Sequence, residues 1–200
     1  MYQALLATSE TIRKYIEDHI GSVPTTAPKR VTLNTPKEMS SSNTEGVSVW
    51  LYRVVRDPER LNDPVQRIGW DQLKPPPLPL RLHYLITPIT GTDQPAAPLG
   101  NPDDEQKLLG RVLQLFHQHP VLRGVDLQGA FLGTATELHV RLEPMGLEEI
   151  TRVWEALEGS YQLSVSYEVS VVNIEAETEP ESMTPVEVVL PEYGIIVGEG

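Results

Sequence analysis

The alternation over residues 161–171 constrains this chain more than any other stretch. Tyr161, Leu163, Val165, Tyr167, Val169 and Val171 share one parity, and Gln162, Ser164, Ser166, Glu168 and Ser170 share the other. A period of two built from β-branched and aromatic residues is the pattern of a long strand with one buried face. At Val172 and Ile174 the second parity turns apolar. The end of this strand is therefore expected to be covered on both faces, by a helix or by another subunit. We read it as a central member of a sheet, with the remaining segments packed around it.

Taken in order, those segments alternate between helix and strand. Residues 2–19 carry an apolar stripe at three-four spacing (Tyr2, Leu5, Leu6, Ile12, Ile16), which predicts an amphipathic helix ended by Gly21. Residues 22–46 read as loop, with a short edge strand at Arg30–Leu33. Over Val47–Val55 strict alternation places Val47, Val49, Leu51 and Val55 on one side and Trp50, Tyr52 and Val54 on the other. Both sides are apolar, so this strand is expected inside the sheet or at an interface. Residues 56–79 are an excursion of turn formers and prolines that leads stiffly into a strand at Leu80–Ile89. Asn101-Pro102-Asp103-Asp104 predicts a helix start, with a capping Asn, Pro at the first helical position and acids in the first turn. That helix should end before Pro120. Residues 121–134 read as irregular, Thr136–Leu142 as a strand with Leu138, Val140 and Leu142 inward, and Leu147–Leu157 as a helix with Leu147, Ile150, Trp154 and Leu157 buried. This mixture of helices and strands predicts an α+β fold: one domain with a mixed, mainly antiparallel β-sheet packed with about three helices.

Two hundred residues with 40% hydrophobic content suit a single domain with its own core. We place that domain at residues 1–175. Residues 176–200 form an acidic linker followed by an arm, in which Val186, Val188 and Leu190 make an apolar strand face and Ile195–Val197 a second apolar piece. The arm is too small for a core of its own. It either closes onto the domain or adds a strand to a neighbour, an edge in a surrounding layer being one host.

Composition excludes several functions. No apolar run reaches the ~20 residues of a membrane helix, and the N-terminus has no basic region followed by an apolar one, so no membrane partner and no secretory signal are expected. With no cysteine there are no disulfides and no thiolate metal sites. Net charge is −12, and beyond Arg152 every charged residue is an acid. Such a chain is a poor nucleic-acid binder; its acids either solvate the surface or form a patch for a basic partner.

The search for chemistry is short. No phosphate-binding glycine loop, nucleophile elbow or HExxH pattern is present. His117 and His119 are two apart and diverge on a helix. His83 and His139 fall at polar strand positions, and the acids at 103–105 and 148–149 are accounted for as first-turn residues. No catalytic, cofactor-binding or metal residues are assigned. The candidate contact residues are Trp50, Tyr52, Val54, Val172, Ile174, Val186, Val188 and Leu190.

Four segments, in this order and spacing, resemble one known family. They are Leu80 to Thr90 (Leu-Arg-Leu-His-Tyr-Leu-Ile-Thr-Pro-Ile-Thr), Glu105 to Gln114, Leu147 to Leu157, and Tyr161 to Val172 with its phrase Leu-Ser-Val-Ser-Tyr-Glu-Val-Ser-Val-Val. Over most of residues 1–175 the chain resembles the cap proteins of extracellular contractile injection systems, phage-tail-like particles of the antifeeding-prophage type. The resemblance implies a tail-terminator-like fold and a structural role. A ring, hexameric on the tube, would stop growth of the inner tube and anchor the distal sheath layer. The partners implied are the inner tube protein, the sheath protein and further copies of the chain. No enzymatic activity or cofactor is implied. Assembly would be cytoplasmic, in a particle that is released. A tail-completion or head-tail joining protein of a phage, and an enzyme of unrecognised type, stay open beside it.

Overall fold

The first helix, α1 (Ala4–His19), forms because Ala4, Ala7, Thr8, Thr11, Ile12, Tyr15 and Ile16 fall on one stripe, and all of them are buried. The Thr8 and Thr11 hydroxyls donate back to the Ala4 and Ala7 carbonyls at 2.8 and 2.7 Å, so this stripe buries no unpaired hydroxyl. The computed structural model describes residues 2–25, 29–60, 62–68, 72–91, 100–175 and 181–182.

After α1 come β1 (Val31–Thr32), α2 (Pro36–Ser41), β2 (Gly46–Arg56), β3 (Gln66–Arg67), β4 (Gln72–Lys74) and β5 (Leu78–Ile89). They are followed by α3 (Pro102–Gln118), β6 (Val121–Arg123), β7 (Glu137–Leu142), α4 (Leu147–Ala156), β8 (Val165–Ile174) and β9 (Glu181–Ser182). Six strands form one sheet in the order β1-β2-β5-β8-β7-β6, and β3-β4-β9 form a small second sheet. Among the described residues only the β1–β2 pairing is parallel. The architecture is α+β, with four α-helices among the described residues rather than about three. The extra one is α2, inside the segment read as loop. Its start is a capping box: Thr35 Oγ1 accepts the Glu38 N–H at 3.1 Å, and the Glu38 carboxylate accepts the Thr35 N–H at 2.9 Å.

The main core lies between one face of the large sheet and helices α1 and α3. Val49, Leu82, Tyr84, Ile86, Val140, Val169 and Val172 supply the sheet side, and Ile12, Ile16, Leu108, Val112 and Phe116 the helix side. Asn101 caps α3 by accepting the Asp103 N–H at 3.1 Å. The opposite face of the sheet carries α4, where Leu85, Ile150 and Trp154 make a second, smaller core. Strand β5 is therefore central in both senses: strands pair on both its edges, and side chains cover both its faces.

Two irregularities beside β5 change which side chains face where. On β2 the register shifts between Leu51 and Arg53: Leu51 pairs with Tyr84, but Arg53 pairs with His83 and Val54 with Leu82. Tyr52 is the extra residue, so Val54 lies on the side of Leu51 and not on the side of Trp50. On β8 the shift falls between the partners of Leu80 and Leu82: Val169 pairs with Leu82 and Val172 with Leu80. Two residues of β8 there oppose one of β5, so Val172 returns to the core face and is fully buried. The expected change of faces at Val172 is thus absorbed inside the domain. Tyr161, Leu163 and Leu142, expected inward, are exposed. Strand β8 begins only at Val165, and Leu142 is the last residue of β7.

Candidate assembly surface

The α4 face of the sheet holds most of the unusual side chains. A Glu143-Pro-Met-Gly turn leads from β7 into α4, where the Glu149 carboxylate accepts the Gly146 N–H at 3.1 Å. The helix buries Ile150 and Trp154 against Leu85, with Trp50, Tyr52 and Met145 packed around them. Trp154 Nε1–H donates to Ser164 Oγ at 3.2 Å, so the buried indole keeps a partner.

Glu143 gathers three elements at one carboxylate oxygen. Ser166 Oγ donates to it at 2.7 Å, His83 Nδ1 lies at 3.1 Å, and Tyr52 OH, whose one proton is shared between this oxygen and Ser166 Oγ, lies at 3.2 Å. Burial pushes the Glu143 carboxyl up, but hydrogen bonds from Ser166, His83 and Tyr52 outweigh it and hold the group below the ordinary carboxylate range. The Tyr52 phenol is pushed up, chiefly by burial. His83 Nε2 is buried with no hydrogen-bond partner among the described residues. The set does not amount to a nucleophile with its base, because the Ser166 hydroxyl is engaged by Glu143 and Tyr52 and not by the imidazole. It acts as a knot that ties β2, β5 and β8 to the turn before α4. Beside it Arg81 reaches Asp57 at 2.8 Å, Glu59 at 3.1 Å and Glu168 at 3.6 Å. Among the described residues no group of three or more histidine and carboxylate side chains is placed to hold a metal ion, and no helix is long and apolar enough to cross a membrane.

A groove of about 670 Å³ runs over this face, between the β2 residues Trp50, Tyr52 and Arg53 and the α4 residues Arg152, Val153 and Ala156. Trp50 and Tyr52, expected as contact residues, are half-buried and line it. Val54 is 43% exposed on the opposite face. Ile174 is half-buried at the far end of β8, beside Leu78 and Pro79. Val172 is in the core and offers no surface. Val186, Val188 and Leu190 lie outside the described residues. The Glu143 knot was not foreseen. A glutamate followed by Pro-Met-Gly reads as a turn, and its partners lie 23 to 91 residues away.

Solved structures with this fold exist. The chain matches the PVC sheath/tube terminator of an extracellular contractile injection system in the extended state, with a TM-score of 0.64 and 18% identity, over 98% of this chain and 65% of that one. It also matches the tube-terminating cap of the anti-feeding prophage, with a TM-score of 0.57 and 20% identity, over 96% of this chain and 61% of that one. The chain thus spans a little under two thirds of the length of either. No curated protein matches it. The model of the Pvc16 N-terminal domain family matches residues 7–187, and the chain belongs to that family.

Proposed function

We propose that this chain is a structural cap of a contractile injection system, which ends the inner tube and holds the distal layer of the sheath. The observation that carries the reading is the family match over residues 7–187. The two solved structures of the same fold support it, one being a sheath/tube terminator and the other a tube-terminating cap. The cap acts as a ring of identical copies, six on a six-fold tube, and its partners are the tube protein, the sheath protein and itself. A tube end offers the same surface to every arriving subunit. A closed ring of heterologous contacts matches that surface on one side and leaves no open contact on the other, which stops growth. The role calls for neither catalysis nor a cofactor. The ring assembles in the cytoplasm and leaves with the particle.

Negative-stain microscopy of particles from cells lacking the gene tests this. Tubes of uncontrolled length, or particles that shed their sheath, are the expected result. Particles of normal length with a stable sheath would overturn it.

A further inference from the structure

Strand β2 is paired unevenly. On one side it runs beside β5 from Gly46 to Arg56, but on the other side β1 meets only Val47 and Ser48. Among the described residues nothing pairs with the outer edge of residues 49–56. An antiparallel strand turns every second N–H and C=O outward, so among the described residues this edge presents a row of backbone groups without a partner strand. The edge is open as well as unpaired: Arg53, Val54 and Arg56 are exposed. Arg53 and Arg56 form no ion pair among the described residues. On one face the edge borders the groove beneath Trp50 and Tyr52; on the other, Val54 leaves apolar surface uncovered.

The same chain holds a segment with the matching chemistry. Pro185-Val-Glu-Val-Val-Leu-Pro191 is a strand-length apolar run bounded by two prolines, which cannot extend a ladder. It is surrounded by acids (Glu177, Glu179, Glu181, Glu187, Glu192), opposite in sign to Arg53 and Arg56. The face pattern fits too. Arg53 and Val54 point to opposite faces of β2, as Glu187 does relative to Val186 and Val188. A register with Glu187 beside Arg53 brings Val186 or Val188 beside Val54.

The segment's origin argues for another copy as host. Strand β9 pairs Ser182 with Gln72, while Arg56, the lower end of the open edge, pairs with Leu80. Eight residues separate Gln72 from Leu80, at most roughly 26 Å of chain. Only Met183, Thr184 and Pro185 lie between Ser182 and Val186, which span about 14 Å at most. Strand β9 also continues the direction of β8, which leads away from the β1 end of the large sheet. In a ring of identical copies, the reading on which this step rests, the open edge of a neighbouring copy is the host.

We propose that the segment Val186–Leu190 of one copy adds a strand to the open β2 edge of a second copy, next to residues 50–56, as a head-to-tail contact between copies. Such a contact is heterologous: each copy donates one arm and accepts another, so the contacts close only in a ring.

The chain has no cysteine, which allows a direct test on the full-length protein. Paired residues on adjacent antiparallel strands stand about 4.5–5.5 Å apart at Cα, within disulfide range. Full-length Val54→Cys is mixed with full-length Val186→Cys or Val188→Cys under mild oxidation. A docked pair is at an effective concentration on the order of millimolar, so at micromolar protein one pairing should cross-link on the order of a hundredfold faster than a control pairing of Leu132→Cys with Val188→Cys. Reversing one charge, as Arg53→Glu or Glu187→Arg, should slow the reaction, and combining the two should restore it. Arg53, Val54 and Leu132 are exposed, so substitution there leaves the core intact. No acceleration over the control overturns the proposal. It falls equally if the double variant Val54→Cys/Val188→Cys closes within single chains, because the arm then returns to its own domain. Cross-linking to sheath protein in particles, with none between purified copies, also overturns it. The readout needs no particle, so failure here leaves the cap reading standing.

Discussion

Substitution of Ser9 by alanine should destabilise the domain more than its small size suggests. Ser9 Oγ donates to the Leu5 carbonyl at 3.0 Å and lies 2.8 Å from Tyr84 OH. With its one proton committed to Leu5, the serine accepts from the phenol, which sits fully buried in the middle of β5. The Ser9→Ala variant leaves that phenol O–H without a partner, at about 1–3 kcal/mol. Alanine returns up to about 0.5 kcal/mol through its helix propensity, so the net loss should be about 1–2 kcal/mol. Tyr84→Phe removes the donor instead, and Ser9 keeps its bond to Leu5, so the loss should be about 0.5–1 kcal/mol. In the double variant neither polar group remains to be stranded. It should cost less than the two single changes together, with a coupling of about 1 kcal/mol. Urea unfolding followed by tryptophan fluorescence resolves these differences, and each kcal/mol corresponds to about 2–4 °C in Tm for a chain of this size. If Ser9→Ala costs no more than Tyr84→Phe, or if the costs add to within about 0.4 kcal/mol, the assigned direction of the hydrogen bond is wrong.

Three further outcomes are expected. Leu85→Ala, at a fully buried position under α4, should lose about 2–5 kcal/mol, whereas Leu147→Ala, 73% exposed on the same helix, should change stability by less than about 0.5 kcal/mol; equal losses in denaturant titrations would refute the placement of α4. Glu143→Gln should lower stability at neutral pH by about 1–2 kcal/mol. Because the folded carboxyl is held below its ordinary range, its contribution is complete above the unfolded value near 4.3 and is lost as pH falls through the folded value. The gap in urea midpoint between wild type and Glu143→Gln should therefore narrow from about pH 5 downward, and a gap independent of pH would contradict the knot. Gly46→Ala should cost about 1–3 kcal/mol, because Gly46 has φ +137° and an added Cβ would run into the Arg30 carbonyl; an unchanged Tm would show that β1 is not held as described.

Much of this fold was legible in the order of residues. The period-two runs at 47–55, 80–89 and 161–171 became β2, β5 and most of β8, because burying one face of a strand forces alternation. Asn101 and Pro102 marked the start of α3 to the residue. What escaped was phase. A single extra residue at Tyr52 and another on β8 reverse every later side chain, and nothing in an apolar run announces a bulge. Hence Val172, placed at a surface by strict alternation, is core, and Val54 changes sides. The serine parity of β8 was read as solvent-facing, yet Ser164, Ser166 and Ser170 are buried. Trp154 and Glu143 satisfy the first two, and those partners become adjacent only after the sheet has formed.

The position of β5 also sets the order of events on the ribosome. Its partner β2 precedes it closely, but β8 follows about 85 residues later, as measured from Ile89 to Ile174. At about 5–20 residues per second, the second edge of β5 waits roughly 4–17 seconds for its mate. During that time a strand whose residues end up almost all buried is an unpaired edge in a crowded cell. Pro79 turns its carbonyl to Asp57 on the β2 side, so by alternation Pro88 lies at a position that faces the waiting edge, where it offers no N–H to a foreign strand and shortens the exposed stretch at that end. Replacing Pro88 by a good strand former would leave the finished domain little changed but would lengthen the sticky edge of every nascent copy.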